Sequence, residues 1–186
     1  ESGQVYGIIG ENGAGKTTLF RCIIGLEPFI GDIVHDQKEY RSKMGYLPTE
    51  PFFIEYLTGV EYLNYVCNAR KIKLSGIEEK NIFELPLNQY ASTYSTGMKK
   101  KLALMAVLLQ KNDVFILDEP FNGVDIQSNM IIIEIIRKLK ALNKIVIISS
   151  HIFSTLNDVC DGIFHLKDGS LSSKYIKSDY VTLENL

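Results

Sequence analysis

Apolar and polar positions along this chain fall into short apolar runs and longer amphipathic ones. Val5-Tyr6-Gly7-Ile8-Ile9 is short, apolar and partly β-branched, and predicts a buried strand. Gly10 to Gly15 follows as a loop whose tight turns glycine allows. Lys16 to Gly25 predicts a helix, with Leu19, Phe20, Ile23 and Ile24 at helical spacing and Gly25 as its stop. Gly31 to Val34 and Met44 to Leu47 predict strands, the second ended by Pro48.

Residues 50–110 differ in texture. Thr58 to Ala69 predicts a helix with Thr58 as cap and Val60, Leu63, Tyr65, Val66 and Cys67 as its apolar positions. Ile77 to Leu85 predicts another. Thr96 to Gln110 predicts a helix with Met98, Leu102, Met105, Ala106 and Leu109 on one face. Together they read as a mostly helical lobe inserted into an α/β frame. The frame resumes with a strand at Asp113 to Leu117 and a long Ile-rich helix at Ile126 to Leu142, whose basic end suits the macrodipole. A very apolar strand covers Lys144 to Ser149, and a short helix Ile152 to Val159. Gly162 to Leu166 and Ser170 to Tyr175 predict a hairpin around Asp168-Gly169. Strands alternating with helices imply a mainly parallel sheet covered on both faces.

Composition narrows the class. The 186 residues are 46% hydrophobic and 23% charged, with only 5 prolines, which excludes a disordered or collagenous chain. The formal net charge of −2 carries no global signal for nucleic acid or a polybasic membrane surface. Cys22, Cys67 and Cys160 are odd in number and far apart, so they read as free thiols of a reducing compartment. The longest uninterrupted apolar run, Leu102 to Leu109, is far short of the ~20 residues of a membrane-spanning helix.

Gly10-Glu11-Asn12-Gly13-Ala14-Gly15-Lys16-Thr17 fits GxxxxGK[ST] between a predicted strand and a predicted helix. Small residues let backbone N–H groups curl around an anion, and the helix N-terminus adds partial positive charge. Lys16 is placed to meet β- and γ-phosphates, and Thr17 to offer a hydroxyl to Mg²⁺; Thr18 follows in the same turn. The loop alone does not name the chemistry, because kinases, GTPases and motor ATPases share it. Ras-type GTPases read guanine through Asn-Lys-x-Asp; here Asn143-Lys144 is followed by Ile145-Val146, so that Asp is missing.

Val114 to Leu117 runs straight into Asp118-Glu119-Pro120. A buried strand end is a costly place for charge unless a cation lies opposite. Asp118 is the expected Mg²⁺ holder, through water, and Glu119 the residue that orients or deprotonates an attacking water. His151 closes the apolar run Ile145-Val146-Ile147-Ile148-Ser149-Ser150 and faces the same crevice, where it can bond the γ-phosphate and the water. His35 and His165 have no such context and default to surface or core. Ser95-Thr96-Gly97-Met98 opens a helix after Tyr94. It reads either as a plain helix cap or as a second phosphate-facing end. The Lys99-Lys100-Lys101 run behind it reads as a solvated face.

These pieces, in this order, resemble an ABC transporter ATP-binding subunit, and the resemblance covers nearly the whole chain. Gly10–Thr17 stands as Walker A, Ser95–Met98 as the signature, Val114–Asp118 as Walker B and Glu119 as the catalytic carboxylate. Asn122-Gly123-Val124-Asp125 stands as the D-loop, with Asp125 at its end, and His151 as the switch histidine. The family's usual signature is Leu-Ser-Gly-Gly-Gln; Thr96 and Met98 depart from it. The usual Q-loop Gln falls at Thr49, which is too short to reach Mg²⁺ as Gln does, so Glu50 or water is the expected substitute.

The resemblance implies a P-loop NTPase of α/β class. Residues 1–49 and 111–186 form its ATP-binding core lobe and 50–110 its helical lobe, within one domain. It implies ATP and Mg²⁺, a head-to-tail homo- or heterodimer with signatures acting in trans, and catalysis by Glu119, His151 and Lys16. It also implies a separate membrane permease, a place on the cytoplasmic face of the membrane and transport in the export direction. The aromatic segment Pro51-Phe52-Phe53-Ile54-Glu55-Tyr56 suits docking to that permease; packing inside the helical lobe is its other reading. The alternative is a soluble ABC ATPase of translation or DNA-repair type seen as a fragment. Near-neutral charge and the absence of a heptad run argue against it, and no nucleic-acid partner is expected. In this family a pair of strands precedes the Walker A strand and carries an adenine-stacking aromatic. Here only Glu1 to Gln4 precede Val5, so the expectation is a trimmed cassette with an incomplete amino-terminal antiparallel sheet.

Overall fold

The computed structural model describes residues 1–34 and 40–180. His35 lies outside them. The elements run β1 (Val5–Ile9), α1 (Lys16–Ile24), β2 (Met44–Leu47), α2 (Gly59–Ala69) and α3 (Thr96–Leu109). They continue with β3 (Val114–Asp118), α4 (Ile126–Ala141), β4 (Ile145–Ser150), α5 (Phe153–Asn157), β5 (Gly162–Lys167) and β6 (Ser170–Leu171).

The strands form one sheet in the order β2-β3-β4-β1-β5-β6. All neighbours are parallel except β5 and β6. Side chains alternate across a strand, and this sorts the core into two layers. Ile8 of β1 and Ile116 of β3 point to one face, where Phe20 of α1 covers them. Phe115, Leu117, Val146 and Ile148 point to the other, against α3, α4 and α5. Each such side chain contributes about 1.5–3 kcal/mol by leaving water. Leu63, Phe83, Leu85 and Leu87 from 50–110 belong to this same second layer, so the helical segment and the sheet share one core.

Two expected elements are absent among the described residues. Gly31 to Val34 pairs with no described strand, and Ile30 and Val34 lie exposed. An apolar run with nothing to bury against gains nothing from being extended. Ile77 to Leu85 is a series of turns rather than a helix. There the Asn81 Nδ2 donates to the Leu85 carbonyl at 2.8 Å, and its Oδ1 accepts the Leu85 N–H at 2.9 Å. Asparagine competes with helix in this way, and Pro86 forbids continuation. The predicted hairpin holds, but its second strand stops at Leu171, with Tyr175 adding one isolated antiparallel bridge to Ile163. Helix α2 starts as expected: Thr58 Oγ1 accepts the Glu61 N–H and Glu61 returns a bond to the Thr58 N–H. Helix α3 departs from a one-faced pattern. Leu102 to Val107 are all buried, because the helix lies between the sheet and α2.

Candidate active site

The sheet brings chemistry to one edge by register. Ile9 pairs with Ser150, and Asp118 pairs with Ser149. The carboxyl ends of β1, β3 and β4 therefore lie side by side, the place where open parallel sheets bind ligands. From β1 the chain turns through Gly10–Gly15 into α1. A Cβ on Gly10 would lie 2.5 Å from the Leu166 carbonyl oxygen, so only glycine fits that close approach. Gly15 caps α1 at φ 102°, a left-handed conformation that favours glycine. The first N–H groups of α1 have no intrahelical partner and face the loop's concavity.

Lys16 is buried at the first position of α1. Its Nζ donates to the carbonyls of Gly10 at 2.7 Å and Glu11 at 3.1 Å, and stands 3.4 Å from Glu119 Oε1. Thr17 Oγ1 donates to Asp118 Oδ2 at 2.6 Å. Asp118 is fully buried and also accepts the Ser149 hydroxyl on Oδ1. Tyr46 OH adds a longer contact to Oδ2 at 3.5 Å. Burial, then the Asp118 charge, push the Tyr46 hydroxyl well above its ordinary pKa, so it stays protonated as a donor.

Glu119 adopts φ 49°, which is uncommon for a residue with a side chain. Its N–H donates to Ser149 Oγ at 2.9 Å and its carbonyl accepts Lys100 Nζ at 3.2 Å. Its Oε2 accepts the His151 Nδ1–H at 3.0 Å, while Oε1 accepts no hydrogen bond among the described residues. A buried carboxylate oxygen with no hydrogen-bond donor of its own, beside a lysine, can take a proton from water. The cleft itself has a volume of about 730 Å³ and is lined by Gly10–Ala14, His151 and the 165–169 turn. His165, which nothing in the sequence singled out, therefore borders the phosphate loop.

The residues present suit ATP with Mg²⁺. One carboxylate and one hydroxyl, 2.6 Å apart, are hard oxygen donors, and Mg²⁺ is usually held by one or two carboxylates together with substrate phosphates. The glycine cradle, Lys16 and the α1 N-terminus suit the phosphates.

Other predicted residues gather elsewhere. Ser95 caps α3 by accepting the Met98 N–H at 3.3 Å and is exposed with Thr96. A Cβ on Gly97 would lie 2.8 Å from the Gly123 carbonyl oxygen, so the segments expected as signature and D-loop approach each other closely there. Asp125 caps α4, accepting the Ser128 N–H at 2.8 Å, and pairs with Lys101 at 3.1 Å. The Ser128 N–H, the Ser128 hydroxyl and Lys101 hold its carboxyl well below the usual range. Thr49 does not reach Asp118: its hydroxyl is buried without a hydrogen bond and its carbonyl accepts Lys100. Glu50 is exposed. The lysine run is thus not a solvated face, since Lys100 is only 2% exposed and Lys101 is ion-paired. In the segment Pro51–Tyr56, Phe53 packs on Tyr62, whereas Phe52 and Tyr56 lie exposed. Ser149, Tyr46 and Lys100 are the residues that sequence reasoning missed. The helical spacing of Lys100 to Ala103, Leu104 and Val107, all buried, was the available signal for one of them.

Fold and site together define a P-loop nucleotide-binding protein. The ABC transporter family matches residues 1–122, and the chain belongs to the ABC transporter ATP-binding family. It is 32% identical over 189 residues to the ABC-type transporter ATP-binding protein EcsA of Bacillus subtilis, covering 94% of this chain and 76% of that protein. It is 30% identical over 191 residues to an uncharacterized ABC transporter ATP-binding protein of Synechocystis, covering 92% of this chain. The chain spans about half of that relative's length, 52%. A solved structure described as the ATP-binding subunit of an ABC transporter superposes with a TM-score of 0.82 at 30% identity, over 100% of this chain and 84% of that one. No helix of the described residues is long and apolar enough to cross a membrane.

Proposed function

We propose that this chain binds and hydrolyses MgATP and powers transport, in the export direction, through a separate membrane permease. The observation that carries the reading is the contact set at one sheet edge: Lys16 with Glu119, Thr17 with Asp118, and Glu119 with His151. In this reading the Gly10–Thr18 segment cradles the phosphates and Lys16 offsets β- and γ-phosphate charge. Thr17 and Asp118 hold the metal, which neutralises phosphate charge when bound. Glu119 orients the attacking water and takes its proton on Oε1. His151 holds the Glu119 carboxylate through Oε2 and offers its other ring nitrogen to the γ-phosphate or the water.

A second ATP-binding subunit completes the site. In a head-to-tail pair Ser95, Thr96, Gly97 and Met98 of one subunit face the other's γ-phosphate, and Asp125 keeps the neighbouring D-loop in place through its cap. The exposed Phe52 and Tyr56 suit the permease contact. In this reading the chain works at the cytoplasmic face of the membrane. Residues 50–110 act as the helical lobe and the remainder as the core lobe of one domain.

Phosphate release and ATP binding test the reading. The wild-type chain is expected to release phosphate with Mg²⁺ present. Lys16→Ala is expected to lose ATP affinity by about a hundredfold or more, since it removes the point charge of the phosphate loop. Wild-type affinity in that variant contradicts the phosphate-loop assignment, and a wild type without phosphate release contradicts the ATPase reading.

A further inference from the structure

We propose that Lys100 is a positioning residue: a buried strut by which helix α3 fixes the backbone of Glu119, and so its carboxylate, for water attack. The inference rests on the ATPase reading above. Lys100 Nζ donates to three carbonyls, those of Thr49, Pro48 at 3.5 Å and Glu119 at 3.2 Å. An ammonium has three donors and no acceptor, so three converging carbonyls match its capacity. The acceptors come from two separate places, the end of β2 and the turn after β3, while the donor comes from α3. One side chain therefore ties three elements at the mouth of the site.

Burial of this kind is a poor way to gain stability, because an apolar residue of similar length packs as well without desolvating a charge. Desolvation indeed pulls the Lys100 pKa down to about 8, against the opposing pull of Asp118, Glu119 and Glu50. What the lysine supplies is direction. Glu119 holds a left-handed backbone; its N–H is held by the Ser149 hydroxyl, and its carbonyl accepts both Lys100 Nζ and, across the turn, the Asn122 N–H at 3.2 Å. That fixed peptide sets the carboxylate 3.0 Å from His151 Nδ1 and 3.4 Å from Lys16 Nζ. Without Lys100 the carbonyl keeps only the bond within its own turn and loses its tie to α3 and the end of β2, which loosens the aim of the carboxylate. The phosphate-loop contacts of Lys16 and Thr17 involve no atom of Lys100 and are left in place.

Steady-state ATP hydrolysis by the full-length protein tests this, with thermal unfolding measured alongside. Lys100→Met is expected to lower kcat by about ten- to a hundredfold, as small misplacements of catalytic groups do, with KM for ATP within about twofold. Lys100→Arg, which restores buried donors, is expected to recover most of the lost kcat. Should Lys100→Met not fold, Lys100→Gln carries the same test: reduced kcat at unchanged KM supports the strut. Wild-type kcat in the folded Met or Gln variant overturns it. So does a joint loss of kcat, ATP affinity and thermal stability that Arg does not rescue, since that marks a packing role. An inactive wild type instead brings down the ATPase reading, and the strut with it; an active wild type beside an unaffected Lys100→Met removes the strut alone.

Discussion

Ser149 stands between the two acidic residues of the site and serves both. Its hydroxyl donates to Asp118 Oδ1 and accepts the Glu119 N–H, and all three residues are buried. Ser149→Ala strands a buried N–H and strips one donor from a buried carboxylate, so an unfolding cost of about 1–3 kcal/mol is expected. Urea denaturation checks it, and a change below about 0.5 kcal/mol, the range of a neutral surface substitution, contradicts the bridging role. At this scale the sequence was half readable. Lys16, Thr17, Asp118, Glu119 and His151 lie where strand ends put them, and strand ends can be read from apolar runs. Ser149 was hidden because a serine before a histidine says nothing until β3 and β4 pair in register. Lys100 was hidden inside a lysine triplet, where composition suggests water and only the packing of α3 says otherwise.

Helix α4 carries the element-scale electrostatics. Asp125 is its cap, accepts the Ser128 N–H, and pairs with Lys101 of α3. The native carboxyl titrates below its unfolded value, so its contribution is present above about pH 4 and is lost as pH falls from there. Asp125→Asn keeps a capping side chain but removes the titration. Its unfolding midpoint is therefore expected to fall less steeply than the wild type's between about pH 4 and 2. Chemical denaturation across that range checks this, and parallel acid limbs contradict it. Elements were legible where periodicity and burial agree, as in β1, β2, α1 and α2. They were misread where an apolar pattern lacked a partner surface, as at Gly31 to Val34. Local hydrogen bonding also outcompeted helix, as Asn81 does within Ile77 to Leu85.

At the scale of the molecule, one core joins the sheet to the helices of residues 50–110, and the site lies along the sheet's carboxyl edge. Ser95 and Thr96 lie exposed, outside that core, and the proposed pairing assigns them to a second copy's nucleotide. The proposed function turns on Glu119 activating water at a site that two subunits close together. Size-exclusion chromatography with light scattering on Glu119→Gln in MgATP, with phosphate release on the same sample, tests it most directly. Gln keeps the shape and loses the base, so an ATP-dependent dimer and phosphate release lowered by about a hundredfold or more are expected. Phosphate release at the wild-type rate from Glu119→Gln contradicts it.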